Sequence, residues 1–339
     1  MVNLKKNCWS FYSAIFILCF SLPSLGKTLF NFQELSSRYA SWAIKPSNKT
    51  SSIYLKEAWK DFNREKKEIV VAVVDTGIDP RHPFFKDNLK VLKGSPSTKN
   101  YGVDFSAGSS SKNMPFDSHG HGTHIAGIIR SVYPKVKLLV LKYYNPNASG
   151  QDNLDSTIKA LEYAVQNNSD IINYSGGGPE PSKEERRILK LAEKKGILIV
   201  AASGNESSNI DKKENAFFPA SYNLKNIITV TANDQKLNLL PSSNYGKNSV
   251  HLSAPGHRIK AALPQRRVGY RTGTSQATAF VSGVAALILS QSPNLKAQDL
   301  KNIITKSTTE ESSLLFRCLT NGRLNAYRAQ KVIRKLDFR

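Results

Sequence analysis

The chain has 339 residues, 48 Lys and Arg against 26 Asp and Glu, a formal net charge of +22 and three cysteines. That length buries a sizeable core, and as an α/β unit it can form a single domain. The positive field attracts polyanions at long range, but the basic residues are dispersed and no aromatic-interleaved basic stripe occurs, which argues against a specific nucleic-acid partner.

The N-terminus reads as an export signal. Lys5 and Lys6 precede an apolar run from Trp9 to Leu22, and Ser24-Leu25-Gly26 offers small residues for cleavage. Polar interruptions and Pro23 make the run short for a spanning helix. Residues 1–26 are therefore expected to be removed, leaving a secreted or periplasmic chain with no membrane attachment. A lipidated Cys19 is the alternative, against which stands the bulky Leu18. Cleavage removes Cys8 and Cys19, so Cys318 remains alone and no internal disulfide is expected. Within Leu314-Leu315-Phe316-Arg317-Cys318 it reads as a packed core thiol. Residues 27–46 form a short N-terminal tail, and 47–339 the folded domain, expected to be a monomer.

Beyond residue 46, short β-branched runs alternate with helical patterns. Strands are predicted at Ile69–Val74, Lys137–Lys142, Asp170–Tyr174, Ile197–Ala202, Asn226–Val230 and Val250–Ala254. They are nearly continuous apolar runs, the pattern of parallel strands covered on both faces. Helices are predicted at His121–Val132, Asn153–Asn167, Ser182–Lys195, Ser275–Ser290, Lys296–Thr305 and Leu324–Leu336. The alternation implies right-handed crossovers and a doubly wound, mostly parallel sheet with helices on both faces. The Ser-, Gly-, Lys- and Asn-rich stretch Lys93–Phe116 reads as a surface excursion.

Four separated segments each supply one part of a hydrolytic site. Asp75 in VVDTGID ends a strand, where a carboxylate can hold an imidazole. His121 in HGHGTHIAG opens a helix, Asn205 in AASGNES follows another strand, and Ser275 in GTSQATAF opens a helix of small residues. A serine hydroxyl becomes nucleophilic when an imidazole takes its proton and a carboxylate fixes the tautomer. Asn205 supplies an amide donor for the oxyanion, beside the backbone N–H of Ser275. Each residue alone has an ordinary explanation as a loop aspartate, turn asparagine or helix cap; the ordered set does not. Asp75, Ser175 and Asn205 all follow strands, where an open α/β sheet places its ligands.

The segment His119-Gly120-His121-Gly122-Thr123-His124 also invites a metal reading, since its spacing resembles the metal-binding segment of the metallo-β-lactamase fold. Thr123 stands where that pattern needs aspartate, and only His251 and His257 remain downstream without matching context. No metal is assigned there.

From about Ile53 to Ala329 the chain resembles the subtilisin-like serine proteases, the subtilases. The order Asp, His, Ser separates them from other triad hydrolases. Asn173-Tyr174-Ser175-Gly176-Gly177, Phe218-Pro219-Ala220, Ala254-Pro255-Gly256 and Gly322-Arg323-Leu324-Asn325-Ala326 match as well. The resemblance implies an endopeptidase acting on proteins or peptides through an acyl-enzyme. It makes Ser175, Gly176 and Gly177 an extended edge for a peptide substrate, and Ser149–Gln151 the opposite edge. Glu206 falls at the rim of the pocket for the residue before the cut bond, where a carboxylate is expected to give a basic or mixed preference. A dedicated processing enzyme or transpeptidase, and a silent binding module, are the alternatives.

Three departures stand out. Gln276 replaces the more usual Met after the serine, and only Lys27 to about Pro46 is available as a propeptide. The resemblance also implies a calcium site with an aspartate after His-Pro. Here Arg81-His82-Pro83 is followed by Phe84, so the usual site lacks a hard oxygen, and no cofactor is expected to be required.

Overall fold

A computed structural model describes residues 30–92, 100–109 and 114–337. The expected leader, residues 1–26, lies outside the described residues.

Eleven strands and seven helices occur among the described residues. The strands are Val70–Asp75 (β1), Gly102–Asp104 (β2), Lys137–Lys142 (β3), Ile171–Tyr174 (β4), Leu198–Ala202 (β5), Ile227–Asn233 (β6), Leu252–Pro255 (β7), Ile259–Leu263 (β8), Arg267–Arg271 (β9), Thr309–Glu310 (β10) and Gly322–Arg323 (β11). The helices are Leu55–Lys60 (α1), His121–Val132 (α2), Gly150–Gln166 (α3), Lys183–Lys194 (α4), Thr274–Gln291 (α5), Ala297–Lys306 (α6) and Ala326–Asp337 (α7). Nine strands form one sheet in the order β10-β11-β7-β6-β5-β4-β1-β3-β2, parallel except for the β10–β11 pair. β8 and β9 form a separate antiparallel ribbon.

The doubly wound α/β sheet follows from the apolar runs. In β1, Val71 and Val73 enter the core that holds α2 and α5, while Ala72 and Val74 enter the core under α3 and α4. β3 and β5 divide in the same way, with Leu138, Val140, Leu198 and Val200 on one face and Leu139, Leu141, Ile199 and Ala201 on the other. A strand covered on both faces has no polar side to show, so the run is continuous.

The six predicted strands and six predicted helices are all present, with ends shifted by a few residues. The excursion Lys93–Phe116 needs correction where it is described: Gly102–Asp104 adds to β3 as the sheet's edge strand. Three residues are too few to show a period, and a Cβ at Gly102 would collide with the Val140 backbone. The β8–β9 ribbon and α1 went unpredicted for the same reason of length.

Residues 30–46, expected as a tail, pack into the same core as the rest. Phe30, Leu35, Ala40, Ala43 and Ile44 are buried, and the Phe30 ring lies 4.7 Å from both Trp59 and Phe62. Arg130 of α2 reaches Glu34 at 3.0 Å, and Trp42 Nε1 donates to the His257 carbonyl at 2.9 Å. Cys318 is fully buried and free, and burial raises its thiol pKa.

Two core histidines are expected to weaken the fold in acid. His124 donates Nε2–H to the Ile259 carbonyl at 3.0 Å, and the Thr229 N–H donates to His251 Nδ1 at 2.9 Å. Burial pushes each down to about 3, whereas the unfolded chain binds these protons near pH 6.5. Between those values the unfolded state holds more protons, so stability rises with pH and is lost as pH falls. Each histidine is expected to remove up to about 1.4 kcal/mol per pH unit below about 6.5. Urea midpoints at about pH 7 and about pH 5 measure this, and an unchanged midpoint contradicts it. His251→Gln should flatten the dependence.

Candidate active site

Asp75 closes β1 at the level where the sheet reverses its winding, between β4 on one side and β3 on the other. Its carboxylate is buried. Oδ1 accepts the Thr76 N–H at 2.8 Å and lies 2.7 Å from His121 Nδ1. The first turn of α2 can come so close because residue 122 is glycine: a Cβ there would strike Gly77 and lie 3.2 Å from Asp75 Oδ1.

The His121 ring is 22% exposed, so one edge reaches solvent. Burial by itself lowers its pKa, but the Asp75 charge and hydrogen bond outweigh that and leave it raised; Arg271 pushes the other way. The Arg271 guanidinium is held beside the site by donating to the His119 carbonyl at 2.9 Å.

Ser275 lies in the first turn of α5, whose residues are all buried. Its Oγ donates to the Ser175 carbonyl at 3.1 Å rather than to His121, and Ser175 Oγ points back toward the Ser275 carbonyl at 3.5 Å. Asn173 on β4 fastens this arrangement, donating to Ser175 Oγ at 2.8 Å and accepting from Ser282 Oγ of α5 at 2.9 Å. Asn205 follows β5 and is exposed. Its Oδ1 accepts the Thr274 N–H at 3.0 Å, one residue before Ser275, which leaves Nδ2 free to donate. Strand ends β1, β4 and β5 therefore bring Asp75, Ser175 and Asn205 to one edge of the sheet, and α2 and α5 bring His121 and Ser275.

Gly176 passes so near Tyr143 that a Cβ would lie 3.2 Å from Tyr143 Cζ and closer still to its hydroxyl. Gly178 exchanges hydrogen bonds with Phe218, at 3.0 and 2.8 Å. Gly150 and Gln151 are not an extended edge: Ser149 caps α3 in a capping box with Asp152, so both lie in its first turn. They share a cavity of about 480 Å³ with Tyr143, Tyr174, Gly177 and Gly178. The Glu206 carboxylate is folded back on Asn244, Oε2 accepting from Nδ2 at 2.5 Å.

The three neighbouring histidines do not converge. His119 is exposed and His124 is buried toward Ile259, and among the described residues no His, Cys, Asp and Glu group is arranged to hold a metal. At the usual calcium position, the Phe84 ring stacks on Tyr39 at 4.1 Å and carries the Arg130 guanidinium 4.1 Å from its centroid. A phenyl ring already facing a cation does not fit calcium.

Several supporting residues escaped the sequence reading. Asp117 is fully buried: Oδ1 accepts the Thr76 hydroxyl at 2.9 Å and the Gly120 N–H at 2.7 Å, and Oδ2 accepts the Thr123 N–H at 2.9 Å. Thr76 Oγ1 in turn accepts the Gly122 N–H at 2.8 Å. Asp117 thus ties the loop after Asp75 to the helix start that carries His121. Its Asp-Ser-His-Gly context is an Asx-turn signal. Asn173 stood in a matching segment without a role assigned to it, and Arg271 carried no local signal.

A family model described as the subtilase family matches residues 66–326. The chain is 38% identical over 234 residues to the major intracellular serine protease of Bacillus subtilis (strain 168), covering 66% of this chain and 69% of that protein. It is 32% identical over 250 residues to subtilisin DY of Bacillus licheniformis, covering 71% and 84%. With the minor extracellular protease Epr of Bacillus subtilis (strain 168) it shares 30% over 296 residues, 83% of this chain but 41% of that protein. The chain belongs to the subtilase family of serine proteases.

Proposed function

We propose that this subtilase is an exported endopeptidase in which Asp75, His121 and Ser275 act as a triad and Asn205 as oxyanion donor. The observation that carries the reading is the 2.7 Å contact between His121 Nδ1 and Asp75, beside a nucleophile-bearing helix start. In the reaction, the Ser275 hydroxyl turns from the Ser175 carbonyl toward His121 Nε2. Catalytic hydrogen bonds of this kind commonly tighten only with substrate bound.

Ser275 Oγ attacks the scissile carbonyl carbon as His121 takes its proton. Asp75 holds the Nδ1–H and stabilises the imidazolium. The oxyanion accepts from Asn205 Nδ2 and from the Ser275 N–H, which in a first helical turn has no intrahelical acceptor. His121 returns the proton to the leaving amine, the C–N bond breaks, and an acyl-enzyme remains. Water then repeats the sequence and releases the acid.

Substrates are proteins or peptides laid along Ser175–Gly177. The step as written uses no metal. Export rests on the basic and apolar leader; of the relatives above, one is named intracellular and one extracellular. No helix among the described residues is long and apolar enough to cross a membrane.

A fluorophosphonate should add to Ser275 in the intact protein and fail to add to Ser275→Ala; mass spectrometry of the labelled peptide reads this, and an unlabelled Ser275 refutes the triad. Asn205→Ala should lower kcat by about 100- to 1,000-fold with KM little changed. His121 must be neutral to accept a proton, so activity appears as pH rises through its raised pKa, placing the acid limb of kcat/KM above 6.5. Removing a cation favours the imidazolium, so Arg271→Gln should move that limb to higher pH. A limb that stays or moves down excludes the assigned role.

A further inference from the structure

Under the proposed function, the residue that contributes the scissile carbonyl must reach both Ser275 and Asn205. Ser275 Oγ is held against the Ser175 carbonyl and Asn205 is clamped to Thr274. That residue therefore sits between two loops, 175–177 after β4 and 203–205 after β5. Its side chain, directed away from solvent, enters the gap between them.

Both walls of the gap are glycine, and one aromatic ring touches both. A Cβ at Gly177 would lie 2.9 Å from Phe217 Cζ and nearer still to Cε1, while a Cβ at Gly204 would lie 3.2 Å from Phe217 Cδ2. The phenyl ring therefore bridges the bare Cα atoms of the two loops. We infer that Phe217 fills the floor of the recess and restricts the residue before the cut bond to a small side chain, glycine, alanine or serine.

Phe217 is held in place from three sides. Its N–H donates to Ser221 Oγ at 3.0 Å and its carbonyl accepts the Ser221 N–H at 2.8 Å. Phe218 is paired in both directions with Gly178, at the end of the wall itself. The ring packs on the small cluster of Ile210, Ala220, Val250, Leu314 and Cys318. Moving it aside exposes that cluster, and close-packed interiors resist an added ring of equal size. The exposed Glu206 carboxylate stays at the Gly204 wall, bonded to the neutral Asn244 amide, but with the Phe217 ring across the floor a long basic side chain has no depth in which to lie beside it. The expected basic preference at this position gives way to a size limit.

The inference rests on the proposed hydrolysis, and the experiment separates the two. Fluorogenic peptides differing only at the residue before the cut bond (Gly, Ala, Ser, Leu, Phe, Lys) are compared on the wild-type protein, Phe217→Gly and Phe217→Leu. Diisopropyl fluorophosphate, which carries no side chain for the recess, measures Ser275 reactivity in parallel. Wild type should favour Ala over Phe by about 100-fold or more in kcat/KM. Phe217→Gly should raise the Phe and Leu peptides until they match or exceed Ala, and Phe217→Leu should fall between. Should Phe217→Gly fail to fold, the wild-type ranking and Phe217→Leu decide. A reactive Ser275 with wild-type preference for Phe, Leu or Lys overturns the size limit alone. A ranking unchanged in folded, labelled Phe217→Gly overturns the role of Phe217. An unreactive Ser275 overturns the hydrolytic reading and this inference with it.

Discussion

A helix buried along all 18 of its residues cannot shift its first turn without unpacking the molecule, and Ser275 sits in that turn of α5. Ala277, Ala279, Ala285 and Ala286 let the helix run deep among the strands, and Gly283 faces Val132 of α2 so closely that a Cβ would lie 2.6 Å from its Cβ. Because α2 carries His121, the contact between the two helices limits how far His121 and Ser275, the base and nucleophile proposed above, can shift relative to each other. The Asn173–Ser282 hydrogen bond adds a directional tie between α5 and the strand that leads into Ser175. Cores packed at crystal density transmit such constraints with little slack.

Electrostatics at the site is a balance between named groups. Asp75 is buried and bonded to His121, which favours the imidazolium; burial of the ring and the nearby Arg271 oppose it. Asp117 does not touch the ring. It collects donors from Thr76, Gly120 and Thr123 and thereby joins the loop after β1 to the start of α2. The carboxylate that contacts the imidazole and the carboxylate that positions its backbone are thus separate residues, a division of labour common in preorganised sites.

The cleft is shaped by glycine on its walls and by aromatic rings behind them. Gly176 lies against Tyr143, and Gly177 and Gly204 lie against Phe217. Bare Cα atoms let the substrate backbone come close, while the rings decide how much room remains for its side chains. The size limit proposed above follows from this arrangement, with the Glu206 carboxylate bonded to Asn244 at the Gly204 wall.

Much of this was legible in the chain itself. Continuous apolar runs are what strands covered on both faces require, so six strands of the sheet and its parallel character could be read directly. Asp75, His121, Asn205 and Ser275, the residues of the proposed site, stand in recognisable local contexts of glycines, strand ends or helix starts. The roles of Asp117, Arg271 and Phe217 were not legible, since they come from partners distant in sequence; Phe217 meets Gly177 and Gly204 only after folding. The packing of residues 30–46, the edge strand β2 and the pairing of Glu206 with Asn244 were likewise decided by tertiary contact. Local pattern encodes periodicity and residue type, so the fold class and the chemical groups of the proposed site could be read from the chain alone. The room beside Phe217 and the hydrogen-bond partners of Asp75, His121 and Ser275 emerge on folding, because they depend on which distant side chains the sheet brings into the same space.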